Sequence, residues 1–336
     1  MISDRNLAST VPCALCANDR VELVGELDRD GRPLRVVLCP RCGLVWNDPR
    51  PGAEELAEYY RDEYRRDYKQ TVEPLPKHTL RAARVAAARC REVGRHLGPG
   101  ARVLDLGAGG GEVVYVLRRL GFEARGIEPN EGYARFARER LGLPVESGFW
   151  QQAPVPAASE DAVTLFHVLE HLDDPVGALS LVRGWLRKDG LLWIEVPNIA
   201  ARCIAPAHRF HRAHLFGFSP STLAGIGKRA GFRVERIFTS PDGGNVTGVF
   251  RRSETVSTGP FEDPAAAGDV RRVLKGHTPL RHLFTIAPYL RPLRKALQAV
   301  GEFSGTRGTP SPRTLLERAL TREGLATVKA GGVSGA

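Results

Sequence analysis

Two close pairs of cysteines near the start of the chain have the spacing of a metal site. Cys13 and Cys16 form one pair and Cys39 and Cys42 the other, and the segment between the pairs is long enough for a β-hairpin. Two such pairs place four thiolates tetrahedrally around one Zn2+ and leave no position for water. Because no signal-peptide stretch begins the chain, the pairs indicate metal ligation rather than disulfides. We therefore expect a structural zinc; the alternative is four buried cysteines without metal.

A glycine-rich turn between a predicted strand and a predicted helix is a candidate ligand site. Residues Asp105 to Gly111 read Asp-Leu-Gly-Ala-Gly-Gly-Gly, so the backbone can approach a ligand at the free amides of a helix N-terminus. A dinucleotide fingerprint needs glycine three residues after Gly109, where Glu112 stands. The next predicted strand ends at Glu128, an acid placed to accept hydrogen bonds from both hydroxyls of a ribose. The pattern favours a nucleoside ligand.

Five of the nine histidines fall in two places, each after a predicted strand of the sheet. They are His167 and His171, followed by His208, His211 and His214. Histidine suits proton transfer near neutral pH, so these residues are candidates for a general base. The alternative is that His171 supports a helix and His208 lies on the surface. A second metal site is weakly indicated, because no carboxylate joins the second group locally.

From residue 102 the sequence alternates between strand and helix patterns. Strands are predicted at 103–106, 124–127, 162–166, 191–196, 232–237 and 246–251, and helices at 112–120, 130–141, 175–186 and 220–230. This alternation is typical of a doubly wound α/β sheet. The predicted domains are a zinc ribbon at 1–52, a helical linker at 53–98, a cofactor-binding domain at 99–252 and a C-terminal extension at 253–336.

The motif Asp-x-Gly-x-Gly-x-Gly with Asp105 at a strand end resembles motif I of class I S-adenosylmethionine-dependent methyltransferases. The segments from Phe166 to Pro175 and from Ile194 to Asn198 resemble a subgroup with an N-terminal zinc ribbon, which includes C-methyltransferases of keto-deoxysugar nucleotides. The resemblance covers about residues 10–250. It implies an α/β, doubly wound, Rossmann-like methyltransferase sheet with an N-terminal zinc ribbon and a basic C-terminal tail. The sugar enzymes carry a further large C-terminal domain, and we expect the residues after 252 to be too few and too polar to form it.

The resemblance also implies which residues bind S-adenosylmethionine. The turn faces the methionine part, Asp105 anchors its polar end, and Glu128 holds the ribose. Phe149 or Trp150 stacks on the adenine, with ordinary core packing as the alternative. The implied cofactor-binding residues are Asp105, Gly107, Ala108, Gly109, Gly111, Glu128, Pro129, Phe149, Trp150 and Phe166.

The segment from Phe210 to Ser219 resembles one that reads Tyr-x-Glu-His in the sugar methyltransferases. There His214 matches the histidine, His211 replaces the tyrosine and Ala213 replaces the glutamate. Methyl transfer needs mainly positioning, but an acceptor carbon beside a ketone, or a hydroxyl, also needs a base. The implied catalytic residues are His214, His211 and His167, with His214 as general base.

The net charge of +10 could indicate a protein that binds nucleic acid, but the location of the charge in the chain argues against nucleic-acid binding. Residues from 250 onward carry a net charge of +7, so the preceding part is nearly neutral and offers no basic stripe. The leading hypothesis is methylation of a small-molecule acceptor in sugar, glycan or natural-product biosynthesis. The alternatives are an RNA methyltransferase that uses its ribbon to bind nucleic acid, and a non-catalytic cofactor-binding scaffold.

The C-terminal extension carries an amphipathic pattern. Apolar residues recur at helical spacing from Leu290 to Val300 beside Arg291, Arg294 and Lys295, which suits an anionic membrane or a partner protein. The alternative is a helix packed on its own domain. No apolar run approaches the roughly 20 residues of a membrane span, so the predicted location is cytoplasmic, with peripheral membrane contact through the tail. Tyrosines at 59, 60, 64 and 68 are predicted to pack one helix face.

Overall fold

The computed structural model describes residues 6–50, 73–255, 259, 261–308 and 310–325, with side-chain burial from residue 8 onward. The four tyrosines predicted to pack a helix face, and the first part of the predicted linker, lie outside these residues. The chain divides into two compact units: Met1–Leu56 with Leu165–Leu293, and Ala57–Thr164 with Arg294–Ala336. The predicted domain boundaries stay predictions.

The described strands and helices follow one another as the alternating pattern indicates. The strands are β1 Asn6–Ala8, β2 Arg20–Leu27, β3 Pro33–Leu38, β4 Val45–Asn47, β5 Arg102–Leu106, β6 Glu123–Glu128, β7 Val145–Ser147, β8 Glu160–Phe166, β9 Leu186–Pro197, β10 Phe216–Gly217, β11 Phe232–Thr239 and β12 Asn245–Arg252. The helices are α1 Pro76–Gly94, α2 Glu112–Arg119, α3 Glu131–Leu141, α4 Pro175–Trp185, α5 Pro220–Arg229, α6 Pro264–Gly276, α7 Pro279–Leu283, α8 Ala287–Thr306 and α9 Pro312–Arg322.

A seven-stranded sheet has the order β11-β12-β9-β8-β5-β6-β7. Strands β5, β6 and β7 are parallel, whereas β12 pairs antiparallel with both β9 and β11. The predicted Rossmann-like α/β fold is confirmed. The largest boundary difference is in β9: the strand predicted from residue 191 begins at Leu186, directly after the preceding helix.

The first unit contains a five-stranded sheet with the order β1-β2-β3-β4-β10, in which every adjacent pair is antiparallel. One cysteine pair lies between β1 and β2 and the other between β3 and β4, and β2 and β3 form the predicted hairpin. The fifth strand comes from far along the chain: Phe216 of β10 lies opposite Trp46 of β4. The ribbon therefore shares a sheet with the segment that follows the second histidine group.

In the second unit, the last described helix packs on α1 and α2. Four apolar side chains of α9 are buried: Leu315, Leu316, Ala319 and Leu320. At its polar edge, Tyr115 Oη donates to Glu317 Oε1 at 2.6 Å, and Arg119 Nε lies 2.9 Å from the same oxygen. This part of the C-terminal extension therefore belongs to the core of the second unit.

Large apolar side chains are exposed along α7 and α8 and the turn between them. They are Leu280, Leu283, Phe284, Ile286, Tyr289, Leu293, Leu297, Val300 and Phe303, all at least 53% exposed. Among the described residues, Leu293, Leu297 and Val300 of the predicted stripe face solvent, whereas Leu290 is half-buried. No helix in the described part of the chain is long and apolar enough to cross a membrane.

Candidate functional site

The four cysteines of the two pairs converge in the first unit. Their sulfur atoms all lie within 4.8 Å of one another, and the Sγ–Sγ distances are 3.5 Å for Cys13 and Cys42 and 3.4 Å for Cys16 and Cys39. A tetrahedral zinc with bonds near 2.3 Å needs sulfurs about 3.8 Å apart. All four cysteines are buried, and Gly43, with φ of 80°, donates its amide hydrogen to Cys39 O at 3.0 Å. The donor set fits a closed structural zinc site.

The glycine-rich turn of the second unit is a concave stretch of backbone. Gly107, Gly109 and Gly111 have φ of 71°, 57° and 83°, a region that L side chains rarely adopt. The amides of Gly107 and Ala108 both donate to Ile127 O, at 2.8 and 3.1 Å, and thereby join the turn to β6. A Cβ added at Gly109 would meet nothing within 4 Å. The open side at Gly109 fits a ligand held against the backbone.

Glu128 connects this turn to the segment that follows β6. Its Oε2 accepts a hydrogen bond from Gly109 N at 2.8 Å, and its Oε1 accepts one from Asn130 N at 2.9 Å. A carboxylate has about four lone-pair sites, so acceptor capacity remains for ribose hydroxyls. The structure thus places Glu128, the predicted ribose-binding residue, in direct contact with the glycine turn.

Asp105 lies beneath the turn, at the end of β5. It is buried, and its Oδ1 accepts a hydrogen bond from Thr164 Oγ1 at 2.6 Å. Burial raises the pKa of Asp105 to about 7, although the bond from Thr164 opposes the shift. At neutral pH this carboxyl is therefore divided between its two protonation states.

The remaining predicted cofactor residues are placed as follows. Phe149 is half-buried and Trp150 is buried, so Phe149 is the more accessible of the two aromatic candidates. Pro129 follows Glu128 and is half-buried, and Ala108 lies within the turn. Phe166 is the last residue of β8 and belongs to the first unit, apart from the unit that carries the other predicted cofactor residues.

The histidines of the first unit form a cluster around a buried carboxylate. The ring of His214 lies 4.9 Å from those of both His171 and His211, measured between centroids. Glu170, which is 1% exposed, has a carboxylate oxygen within 4.8 Å of ligand atoms of His171 and His214. No carboxylate lies near the second histidine group in sequence, but the tertiary fold brings Glu170 to His214. His208 is exposed, as the alternative interpretation had it.

The pKa values of the groups in this cluster are shifted from their ordinary values. Burial alone would raise the pKa of Glu170, but the histidines around it, His171 first, lower it to about 2. Burial lowers the pKa of His214 to about 3 and that of His211 to about 4. The carboxylate and the rings are therefore coupled: the histidines lower the pKa of Glu170, and burial lowers the pKa values of His214 and His211.

His167 occupies a strained position directly after β8. Its φ of 58° is uncommon for any residue other than glycine, and such strain is concentrated at functional sites. Its Nδ1 lies 3.4 Å from Glu170 Oε1, and its Nε2 lies 3.3 Å from Glu195 Oε1. The ring thus stands between two carboxylates, which favour a positive charge placed on it.

A pocket of the first unit connects the ribbon with this cluster. Its internal volume is about 40 Å³, and its walls include Trp46, Phe210, Phe216, His211 and His214. Aromatic walls with a few polar groups are typical of small-molecule sites.

Asn47 holds one wall of the pocket in place. Its Nδ2 donates to Arg212 O at 3.2 Å and to His214 O at 3.1 Å. Sequence reasoning missed Trp46, Asn47, Glu170 and Glu195 as site residues. For Glu170 the signal existed, since it lies next to His171; for Asn47 nothing local connects it to residues more than 160 positions later.

Several known proteins share sequence with this chain. Ubiquinone biosynthesis O-methyltransferase of Xanthomonas campestris pv. campestris is 33% identical over 106 residues, which are 30% of this chain and 44% of that protein. The protein of the same name from Methylobacterium sp. (strain 4-46) is 33% identical over 138 residues, 38% of this chain and 55% of that protein. The chain spans about half the length of these curated relatives.

Two solved structures are similar at low identity. A SAM dependent methyltransferase from Aquifex aeolicus is 19% identical and covers 53% of this chain and 98% of its own, with a TM-score of 0.43. One from Archaeoglobus fulgidus is 21% identical and covers 51% and 94%, with a TM-score of 0.44.

A family model described as a methyltransferase domain matches residues 63–237, which is more than half of the chain. The matched range contains the glycine turn, Glu128 and both histidine groups. The resemblance read from motif I is therefore confirmed, and the chain belongs to the methyltransferase-domain family.

Proposed function

We propose that the chain transfers a methyl group from S-adenosylmethionine to an oxygen of a small-molecule acceptor. S-adenosylmethionine is the cofactor of this family and supplies an electrophilic methyl group on a sulfonium. The observation that carries the acceptor assignment is the aromatic pocket whose wall contains His211 and His214. The printed name of the curated relatives, an O-methyltransferase of ubiquinone biosynthesis, supports oxygen as the methylated atom.

The cofactor is held by the glycine turn of the second unit. The open face at Gly109 admits the methionine part against the backbone, and Glu128 accepts hydrogen bonds from the ribose hydroxyls. Phe149, the more accessible aromatic residue after β7, stacks on the adenine. Asp105 and Thr164 support the turn from below through their mutual hydrogen bond.

The histidine cluster removes the proton of the acceptor hydroxyl. The sequence points first to His214, assisted by His211 or His167. The half-buried rings of His214 and His211, however, have pKa values lowered to about 3 and about 4 and are weak bases. His167 is the remaining candidate, and its ring nitrogens lie 3.4 Å from Glu170 and 3.3 Å from Glu195, carboxylates that stabilise a positive charge on the ring. We therefore assign the general base to His167, with His211 and His214 lining the acceptor pocket.

The acceptor is a hydroxyl compound of sugar, glycan or natural-product metabolism that presents its hydroxyl to the aromatic pocket. The nearly neutral charge of the chain before residue 250 favours such a molecule over nucleic acid. The assay is methyl transfer from labelled S-adenosylmethionine to panels of phenols, catechols and nucleotide sugars, with a short RNA as comparison.

A His167→Ala variant should lose about 10²–10⁴-fold in turnover with unchanged cofactor affinity. The matched control is His208→Ala, which removes an exposed histidine of the loop between β9 and β10. Labelling of RNA alone, or full activity of His167→Ala, would contradict the assignment.

The location that fits this function is cytoplasmic, with peripheral contact to an anionic membrane. Nine exposed apolar side chains on and between α7 and α8 lie among Arg281, Arg291, Arg294 and Lys295. The acid of this stretch, Glu302, is buried and engaged by Arg81 Nε at 2.8 Å, so it does not offset the basic charge facing solvent. Apolar side chains flanked by arginine and lysine match the interface of anionic lipids.

A further inference from the structure

We propose that Glu170, His171 and His214 bind a divalent transition-metal ion, a site separate from the zinc of the four cysteines. The three ligand atoms lie within 4.8 Å of one another. Metal–nitrogen and metal–oxygen bonds of about 2.0–2.2 Å place ligand atoms about 3.3 Å apart in a tetrahedral site. His171 Nε2 and Glu170 Oε1 are already 3.8 Å apart.

The carboxylate of Glu170 needs a positive partner. Both of its oxygens are buried, and neither has a hydrogen bond of good geometry from any residue that the structure describes. The nearest ring nitrogen, His167 Nδ1, is 3.4 Å from Oε1. Removing an ionised carboxylate from water without a partner is costly, so a buried one is normally paired or bound to a metal. A cation coordinated by Glu170 removes this cost.

The tautomer of His171 is set for coordination. Its Nδ1 lies 2.8 Å from the main-chain oxygen of Ala213, and because a carbonyl only accepts, Nδ1 carries the hydrogen. The lone pair of the neutral ring is therefore on Nε2, the atom that faces Glu170. A ligating histidine almost always donates its other ring hydrogen to a carbonyl or carboxylate in this way. Ala213 follows His211 and precedes His214, so the same loop supplies a metal ligand and this supporting carbonyl.

The donor set selects the class of metal. Two imidazole nitrogens and one carboxylate oxygen suit zinc, cobalt, iron or nickel, whereas magnesium and calcium prefer sites made of oxygen alone. Three protein ligands leave a coordination position open, as in catalytic rather than structural zinc sites. His214 also lines the aromatic pocket, so the open position is accessible from the acceptor side.

The role of the metal rests on the proposed function. A hydroxyl oxygen of the acceptor takes the open position, and the metal lowers the pKa of that hydroxyl. Its proton passes to His167, the new oxygen–carbon bond forms to the methyl group, and the sulfur–carbon bond breaks to leave S-adenosylhomocysteine. In this arrangement His214 is a metal ligand, and the proton goes to another histidine of the same cluster.

The test is the metal content of the full-length protein after removal of weakly held metal and reloading with Co2+. The parent should hold two metal ions per chain: one in the four-cysteine site, recognised by thiolate charge-transfer absorption if cobalt enters it, and one with the weaker spectrum of nitrogen and oxygen ligands. Glu170→Gln keeps the size of the side chain. The Glu170→Gln and His171→Asn variants should each lose only the second ion. His208→Ala should keep both.

A second readout does not depend on activity. Addition of Co2+ should raise the melting temperature of the parent and of His208→Ala, and this shift should vanish in Glu170→Gln. One metal ion in the parent, or two in Glu170→Gln, would overturn the metal site. Methyl transfer by a parent that holds only one metal ion would overturn the metal site and leave the proposed function intact. A second metal ion in a parent that transfers no methyl group would support the metal site and contradict the proposed function.

Discussion

The side-chain amide of Asn47 donates a hydrogen bond to the main-chain oxygen of His214 at 3.1 Å. Asn47 ends β4 of the ribbon, and His214 precedes β10, the strand that pairs with β4. A residue next to the predicted zinc site thus fixes the loop that supplies the histidines of the acceptor pocket. The ribbon has a structural role in building that pocket, in addition to any role of its own.

Replacing Asn47 tests this relationship. In Asn47→Ala the main-chain oxygens of Arg212 and His214 lose their donor, and an unsatisfied buried group costs about 1–3 kcal/mol. We expect a lower free energy of unfolding, measured with urea, and a higher KM for the acceptor with unchanged cofactor affinity. Gln151→Ala, an exposed change, is the control. An Asn47→Ala protein with parental KM would show that the loop holds its shape without this bond.

Loss of the zinc should affect the same pocket. Cys39→Ser removes one of four buried sulfur ligands, so purified protein should contain less tightly held zinc. Because β3 and β4 flank Cys39 and Cys42, and β4 pairs with β10, the melting temperature and the acceptor KM should change together. Cys203→Ser, outside the cluster, is the matched control. Metal analysis that finds no zinc in the parent, or equal zinc in Cys39→Ser, counts against the site.

Asp105 predicts a pH dependence of stability. Burial raises its pKa from 3.8 to about 7, so the folded state binds a proton that the unfolded state has released between these values. The free energy of unfolding therefore falls as pH rises through this window, by roughly 3–5 kcal/mol for this group. Asp105→Asn keeps an oxygen for Thr164 and should remove this contribution, so its stability relative to the parent increases from pH 4 to pH 8. Asp19→Asn, an exposed change, should not. Parallel pH profiles for the parent and Asp105→Asn would contradict the assignment.

The exposed apolar face of α8 predicts binding to anionic lipid. Leu293 and Leu297 are 56% and 65% exposed, and Leu293→Glu with Leu297→Glu places negative charge where the lipid would lie. The parent should sediment with vesicles that contain phosphatidylserine and not with phosphatidylcholine alone. The double variant should stay in the supernatant, whereas Leu27→Glu, at a site 56% exposed elsewhere, should behave as the parent does. Equal sedimentation of the parent and the double variant would contradict membrane binding through this face. Self-association of the parent without vesicle binding would assign the face to contact with a second copy of the chain.

Local patterns predicted the parts of the site that are continuous in sequence. The cysteine pairs, the glycine turn and Glu128 each depend on a few neighbouring residues, and the structure brings each group together. The bond from Asn47 to the histidine loop and the approach of Glu170 to His214 depend on the tertiary fold. No spacing within either segment records them. The packing of α9 on α1 was equally hidden, since its four buried apolar residues lie in a polar and basic segment.

Glu128 offers the most direct test of the account, because it joins the glycine turn to the predicted ribose position. The measurement is a calorimetric titration of S-adenosylmethionine into the parent and into Glu128→Ala, with Glu139→Ala, an exposed change, as the control. The parent and the control should bind one cofactor per chain with equal affinity. Glu128→Ala should bind more weakly by about 1–3 kcal/mol, the value of hydrogen bonds to a charged group. Equal affinity of Glu128→Ala and parent, or tighter binding of a nicotinamide dinucleotide than of S-adenosylmethionine by the parent, would contradict the account.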